Sequence, residues 1–171
     1  MVAALELYLD TDATRRIRVL WDTLEAEGVQ SMRSLLEQRH RPHVSLAVAP
    51  RFDPDRVAEA LHGTPVAAPL RLSFQYAGQF VGRVLWLGVT PTADLLAHHA
   101  RVHDRLARAG IALSEQYLPG RWVPHCTLSM RVPNTLMAAT VRRCLEMLPL
   151  EATVTAAAIA DHARHISHPL S

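Results

Sequence analysis

Long apolar runs are missing from this sequence. No stretch approaches the roughly 20 residues a helix needs to cross a bilayer, and the N-terminal MVAALELYLD carries acids where a secretory signal would carry bases. Membrane insertion and export are therefore not expected, and a cytoplasmic location is. Cysteine is scarce as well. Cys126 and Cys144 are the only two, and their spacing fits neither a disulfide framework nor a paired-cysteine zinc site, which suits a reducing compartment. A strong charge of either sign is also lacking. A formal net charge of +2 is too small for bulk nucleic-acid binding, although Arg39-His40-Arg41 can meet a phosphate locally. The cluster Arg15-Arg16-Ile17-Arg18 reads better as a solvated basic face.

Histidine, by contrast, is abundant: ten in 171 residues, more than packing needs. It is the side chain whose ordinary pKa lies near neutrality, so it both takes and gives protons there.

Leu5, Leu7 and Leu9 alternate with Glu6 and Tyr8 and predict an opening strand with one buried face. A helix follows, capped by Asp10 or Thr11, with Ile17, Leu20, Trp21 and Leu24 at helical spacing and Gly28 at its end. A short helix around Met32, Leu35 and Leu36 fits the segment 29–41. After Pro42 a strand is expected from His43 to Ala49, then a helix capped by Asp53 with Pro54 at its first position and Gly63 beyond it. Leu70 to Ala77 and Arg83 to Val89 flank Gly78 to Gly82 and predict a hairpin. Thr92 opens a helix with Leu95, Leu96, Val102 and Leu106 on its buried side. A strand follows Pro124, a helix capped by Asn134 runs to Leu148, and a last strand spans Glu151 to Ile159. His162, His165 and His168 fall in a polar tail, where solvation or a loose metal contact accounts for them.

The order strand, helix, strand, helix, strand thus occurs twice, and no low-complexity linker separates the copies. Two such halves packed together would bury their sheet faces and leave a cleft between them. The chain is therefore expected to form one bilobal domain over residues 1–171 with pseudo-two-fold halves.

Each half carries one copy of a motif: His43-Val44-Ser45-Leu46 and His125-Cys126-Thr127-Leu128, both after proline. On a strand, alternate side chains share a face, so His43 goes with Ser45 and His125 with Thr127, while Val44, Leu46, Cys126 and Leu128 turn to the core. One copy alone would be a satisfied strand histidine. Two at matched places give two imidazoles and two hydroxyls facing one cleft.

The paired P-H-V-S-L and P-H-C-T-L resemble the H-x-[ST]-x signatures of the two-histidine phosphoesterase superfamily, the group of LigT-like 2',5' RNA ligases and cyclic phosphodiesterases. The stretch from Tyr117 through Arg121 and Trp122 to His125 is similar to the approach to the second motif in bacterial members. The first motif runs on into Ala47-Val48-Ala49-Pro50, where an aromatic and a glycine are usual, and Ser129-Met130 precede Arg131. What is implied is therefore the superfamily and not one subfamily. The resemblance implies an α+β fold with antiparallel sheets lining a central cleft and helices outside, a monomer, and metal-independent hydrolysis of a 2',3'-cyclic phosphate or related phosphodiester on an RNA end or nucleotide, with no cofactor.

The residue types then suggest roles. One histidine, neutral, takes a proton from water or, in reverse, from a ribose hydroxyl; the other, charged, protonates the leaving oxygen. Ser45 and Thr127 would donate to the non-bridging phosphate oxygens. Sequence does not say which of His43 and His125 is base and which is acid, nor whether hydrolysis or ligation prevails. Arg41 and Arg121 are candidates for phosphate or nucleotide contacts, and Tyr117 for stacking a base. Trp122 reads as core, Cys126 as a small apolar core residue, and His99 and His103 as exposed helix histidines, since no acid completes an H-E-x-x-H metal motif. Two alternatives to the enzyme remain: a non-catalytic module binding RNA ends or nucleotides in the same cleft, and a histidine-ligated metalloprotein.

Overall fold

The computed structural model describes residues 3–35, 40–67, 69–164 and 166–170. Its elements run β1 (Ala3–Leu9), α1 (Thr11–Ala26), α2 (Met32–Leu35), β2 (His43–Ala49), α3 (Pro54–Ala60), β3 (Arg71–Phe80), β4 (Val84–Val89), α4 (Ala93–Arg108), β5 (His125–Ser129), α5 (Met137–Met147), β6 (Leu150–Asp161) and β7 (Ile166–Leu170), with a 3-10 turn at Glu115–Tyr117. Helix starts follow their side-chain caps. Asp10 accepts from Ala13 N, Asp53 from Asp55 N and Arg56 N, and Thr92 from Leu95 N, each satisfying donors that the first turn leaves free.

The strand order is β2-β1-β6-β3-β4-β5, with β7 added beside β6, and every pairing is antiparallel. The long β6 joins two sheets. Its first residues, Leu150–Thr153, pair with β3, and Val154 onward pairs with β1. The two motif strands, β2 and β5, stand at opposite ends of this order yet touch each other, so the sheets curl until their ends meet. Apart from the short α2 in the first half and the 3-10 turn in the second, the order β1-α1-β2-α3-β3 recurs as β4-α4-β5-α5-β6. The pairing recurs too: β1 lies between β2 and β6, and β4 between β5 and β3. Helices α1 and α5 pack together, as do α3 and α4, and one continuous core runs from Leu5, Ile17 and Trp21 through Leu46, Phe74 and Leu87 to Leu106 and Leu128.

Four expectations need correction. β1 is buried on both faces: Glu6 is 1% exposed and Tyr8 also lies inside, because His43 and His162 cover Glu6 and Arg41 covers the Tyr8 ring on the face assigned to water. Asn134 is no helix cap. Leu136 N donates to Pro133 O in a turn, and α5 begins only at Met137. Leu96, assigned to the buried side of α4, is exposed, while His98, His99 and His103 are buried on that helix. The C-terminal tail is strand β7, held by its backbone ladder to β6 while its side chains stay largely exposed; with so little apolar burial it carries no alternating pattern to read. His165, and Leu36 of the expected short helix, lie outside the described residues.

Candidate active site

The two motif strands present their residues with a period of two. His43, Ser45, His125 and Thr127 are half-buried, while Val44, Leu46, Cys126 and Leu128 are fully enclosed. All four half-buried residues line one cleft of about 720 Å³, together with Glu6, His40, Phe80, Tyr117, Arg121, Trp122 and His162.

Each motif histidine is held the same way. His43 Nδ1 donates to Arg41 O at 2.8 Å and His125 Nδ1 to Val123 O at 2.6 Å. A carbonyl only accepts, so the proton sits on Nδ1 in both rings and Nε2 is left for the cleft. The proline between carbonyl and histidine, Pro42 or Pro124, fixes the extended approach that brings the two together. The surroundings then diverge. His125 meets the rings of Phe80 (centroids 4.9 Å, 85°) and Trp86 (5.8 Å), and burial pushes its pKa below the ordinary histidine value, helped by repulsion from His43. His43 instead has its Nε2 3.3 Å from Glu6 Oε1.

Glu6 is the functional-site residue that strand alternation misassigned to solvent. Its Oε1 accepts from His162 Nε2 at 2.7 Å and its Oε2 from Tyr8 Oη at 2.9 Å. Burial opposes a charge there, but His43, His162 and Tyr8 outweigh it and bring the carboxyl down to about 2, so it is ionised at neutral pH. His162, read as part of a polar tail, is thus a wall of the cleft, its pKa raised by the hydrogen bond to Glu6 despite burial. His40 sits against both neighbouring imidazoles, with ring centroids 5.0 Å from His43 and 4.9 Å from His162. Burial and those two neighbours take it down to about 3, which keeps it neutral. The only signals in the sequence were a charged residue inside an otherwise apolar strand and the high histidine count.

The remaining candidates divide. Tyr117 and Arg121 lie in the cleft wall, the latter with its guanidinium on Glu115 at 2.9 Å. Arg41 stacks over the Tyr8 ring at 4.1 Å instead and is not among the lining residues. Trp122 packs in the core, as read. His99 and His103, expected to be exposed, are buried and donate from Nε2 to Tyr117 O and Leu46 O, both at 2.9 Å. They brace the site from behind. Burial drives the Cys126 thiol up to about 12, which makes it inert near neutrality. Among the described residues no three His, Cys, Asp or Glu side chains converge so as to hold a metal ion, and no helix is long and apolar enough to cross a membrane.

Several solved structures share the fold. Escherichia coli LigT in complex with 3'-AMP superposes with a TM-score of 0.64 at 18% identity, covering 99% of this chain and 94% of that one. A crystal structure described as a phosphoesterase gives 0.63 at 19%, covering 99% and 94%. Kluyveromyces marxianus Usb1 with uridine monophosphate gives 0.51 at 9%, covering 99% and 98%. No curated protein matches at the sequence level. The family model of the 2'-5' RNA ligase superfamily matches residues 15–166, nearly the whole chain including both motifs. The chain therefore belongs to that superfamily.

Proposed function

We propose that this protein hydrolyses a 2',3'-cyclic phosphate, or a related phosphodiester, on an RNA end or nucleotide without a metal ion, and that the same groups can join 2',5' ends when the 5'-hydroxyl of a second strand attacks the cyclic phosphate in place of water and the bond from phosphorus to O3' breaks. Water attacks phosphorus while a neutral imidazole takes its proton; the bond from phosphorus to a ribose oxygen breaks, and that oxygen receives a proton from a charged imidazole. Ser45 and Thr127 donate to the non-bridging oxygens as negative charge gathers on them. Tyr117 offers an aromatic face to a base.

The observation that carries this reading is the pair of matched imidazoles in one cleft, each with Nδ1 donated to the carbonyl two residues back. Two general acid–base groups on rigid strands are what an in-line displacement at a single phosphorus requires. The volume suits a nucleotide, and the nucleotide complexes of LigT and Usb1 agree with a ligand of that kind. The test is turnover of the four 2',3'-cyclic nucleotides in a chelator. Activity there supports the proposal; tight nucleotide binding without turnover would replace it with a binding module, and activity restored only by added zinc would replace it with a metalloenzyme.

A further inference from the structure

The two half-sites are matched in register and unmatched in chemistry. In the first, β1 sets Glu6 opposite Ser45 and Tyr8 opposite His43. In the second, β4 sets Trp86 opposite Thr127 and Gly88 opposite His125. The position beside the motif hydroxyl is therefore a buried carboxylate in one half and an indole in the other. Gly88 leaves room for the Tyr76 ring and Gly78 for the Trp86 ring, since a Cβ at either would come within 2.1 Å and 2.4 Å of them. His125 is thus walled by aromatic carbon, and His43 by an ionised oxygen.

We propose that Glu6 is the positioning residue that makes the two histidines unequal, holding His43 as the proton donor to the leaving oxygen and leaving His125 to take the proton from water. This rests on the proposed hydrolysis and settles the one choice that two equivalent motifs leave open. A negative charge 3.3 Å from an imidazole nitrogen attracts the protonated ring, whereas aromatic surroundings deny solvation to a charged one. The direction of His125's shift agrees.

Several groups face the carboxylate. Tyr8 comes from its own strand and Arg41 stacks on Tyr8; His43 comes from β2 and His40 from the approach to it; His162 comes from the turn after β6, where Asp161 acts on His162, and Tyr117 from the 3-10 turn. Ser167 of β7 reaches Tyr8. Only His162 competes with His43 for Glu6 as a titrating cation, since His40 stays neutral. His162 therefore tempers the effect of Glu6 on His43, and removing its charge should strengthen that effect.

The experiment compares Glu6→Gln and His162→Gln in the full chain by the pH profile of 2',3'-cyclic nucleotide turnover and by NMR titration of the histidine rings. Each variant keeps a hydrogen-bonding side chain in place. In Glu6→Gln the alkaline limb, which marks loss of the protonated donor, should move down by about one pH unit and turnover above neutrality should fall about tenfold, while the acidic limb stays. Glu6→Asp should recover part of the shift. In His162→Gln the alkaline limb should move up. Shifts of opposite sign are not what a merely structural role would give, and His162→Gln, at the rim, keeps the test alive if Glu6→Gln fails to fold. Unmoved limbs, or shifts in the same direction, overturn the inference. The His43 resonance separates the two levels. If it titrates lower in Glu6→Gln although no nucleotide is turned over, the hydrolysis fails and the inequality stands. If it does not move in an active variant, the inequality fails alone.

Discussion

The indole Nε1 of Trp122 donates a 3.0 Å hydrogen bond to the backbone oxygen of Ser45, so the approach to the second motif is tied to the middle of the first. The same indole lies flat on His99, with centroids 4.0 Å apart and planes 1° from parallel, and His103 holds the next carbonyl along β2, that of Leu46. Helix α4 and the loop before β5 thereby clamp one motif strand to the other. Trp122→Phe keeps the stacking and leaves the Ser45 oxygen unpaired, which should cost about 1–3 kcal/mol of stability. Trp122→Ala also empties core volume and should cost about 3–5 kcal/mol. Denaturant melts check both, and a Phe variant as stable as the parent would show that the bond does not hold the strands together.

Replacing His43 or His125 by Ala should each lower turnover by about 10² to 10⁴, the usual share of one general acid or base, with the fold intact. The double variant should lose far less than the product of the two, because a site missing one partner gains little from the other. Ser45→Ala and Thr127→Val should each reduce kcat by about 10² if each hydroxyl meets a phosphate oxygen in the transition state. Full turnover in a folded His43→Ala protein would contradict the assigned pair of roles.

What could be read from residues alone follows a physical boundary. The bounds of β2, the caps Asp10, Asp53 and Thr92, and the inward and outward alternation along both motifs are local properties, set by side-chain period and by donors within one turn. Glu6 was misassigned because alternation along β1 reports that Tyr8 and Glu6 share a face, but not that a second layer covers it. His162 was out of reach for a related reason: its place depends on a turn after β6 that returns the chain to Glu6, 156 residues away in sequence. On α4, His99 and His103 read as surface because imidazole counts as polar in a helical pattern, whereas in the fold both rings donate to a carbonyl and pack their carbon faces.

Those buried histidines make stability fall on the acid side. In the unfolded chain each would protonate near 6.5, but burial lowers His98 and His103, takes His99 to about 4 and His40 to about 3. Below 6.5 the unfolded state therefore binds protons that the folded state refuses, and stability drops as pH falls, by up to about 1.4 kcal/mol per pH unit for each such group. Glu6, depressed to about 2, adds a further loss below its ordinary value of 4.5, continuing down toward 2. His162 acts oppositely, since its raised pKa stabilises the fold at low pH and that contribution is lost as pH rises through its folded value. Melts between pH 7.5 and 4.5 should show the net decline, and His99→Gln, which still donates to Tyr117 O, should flatten it. An unchanged slope in that variant would remove His99 from the account.

Hydrolysis should rise and then fall with pH, and chelators should leave it unchanged. The rising limb follows deprotonation of the base. With His125 in that role, burial against Phe80 and Trp86 puts this limb below the ordinary 6.5. Phe80→Ser admits water to the ring and should move the limb upward toward the ordinary value, with the falling limb little affected. A rising limb that stays put would exclude His125 as its source.

The wall around His125 can be tested through two glycines whose constraint is space, since neither has a positive φ. A methyl on Gly88 would come within 2.1 Å of the Tyr76 ring, and one on Gly78 within 2.4 Å of the Trp86 ring. The consequences differ because the neighbours differ in freedom. Tyr76 is 38% exposed and can swing outward, giving up only its edge contact with Trp86 at 5.9 Å and a long hydroxyl bond of 3.4 Å to Val89 O. Trp86 is buried between Phe80 and His125, with centroids at 4.9 Å and 5.8 Å, and has nowhere to go without displacing the His125 ring. Gly78→Ala should therefore cost about 1–3 kcal/mol as an overpacked site and lower turnover by moving His125. Gly88→Ala should cost less and leave kcat near the parent value. Melting and turnover of the two variants, measured side by side, check the order; equal losses in both would mean that the Tyr76 ring is as tightly held as Trp86 and that the aromatic wall moves as one body.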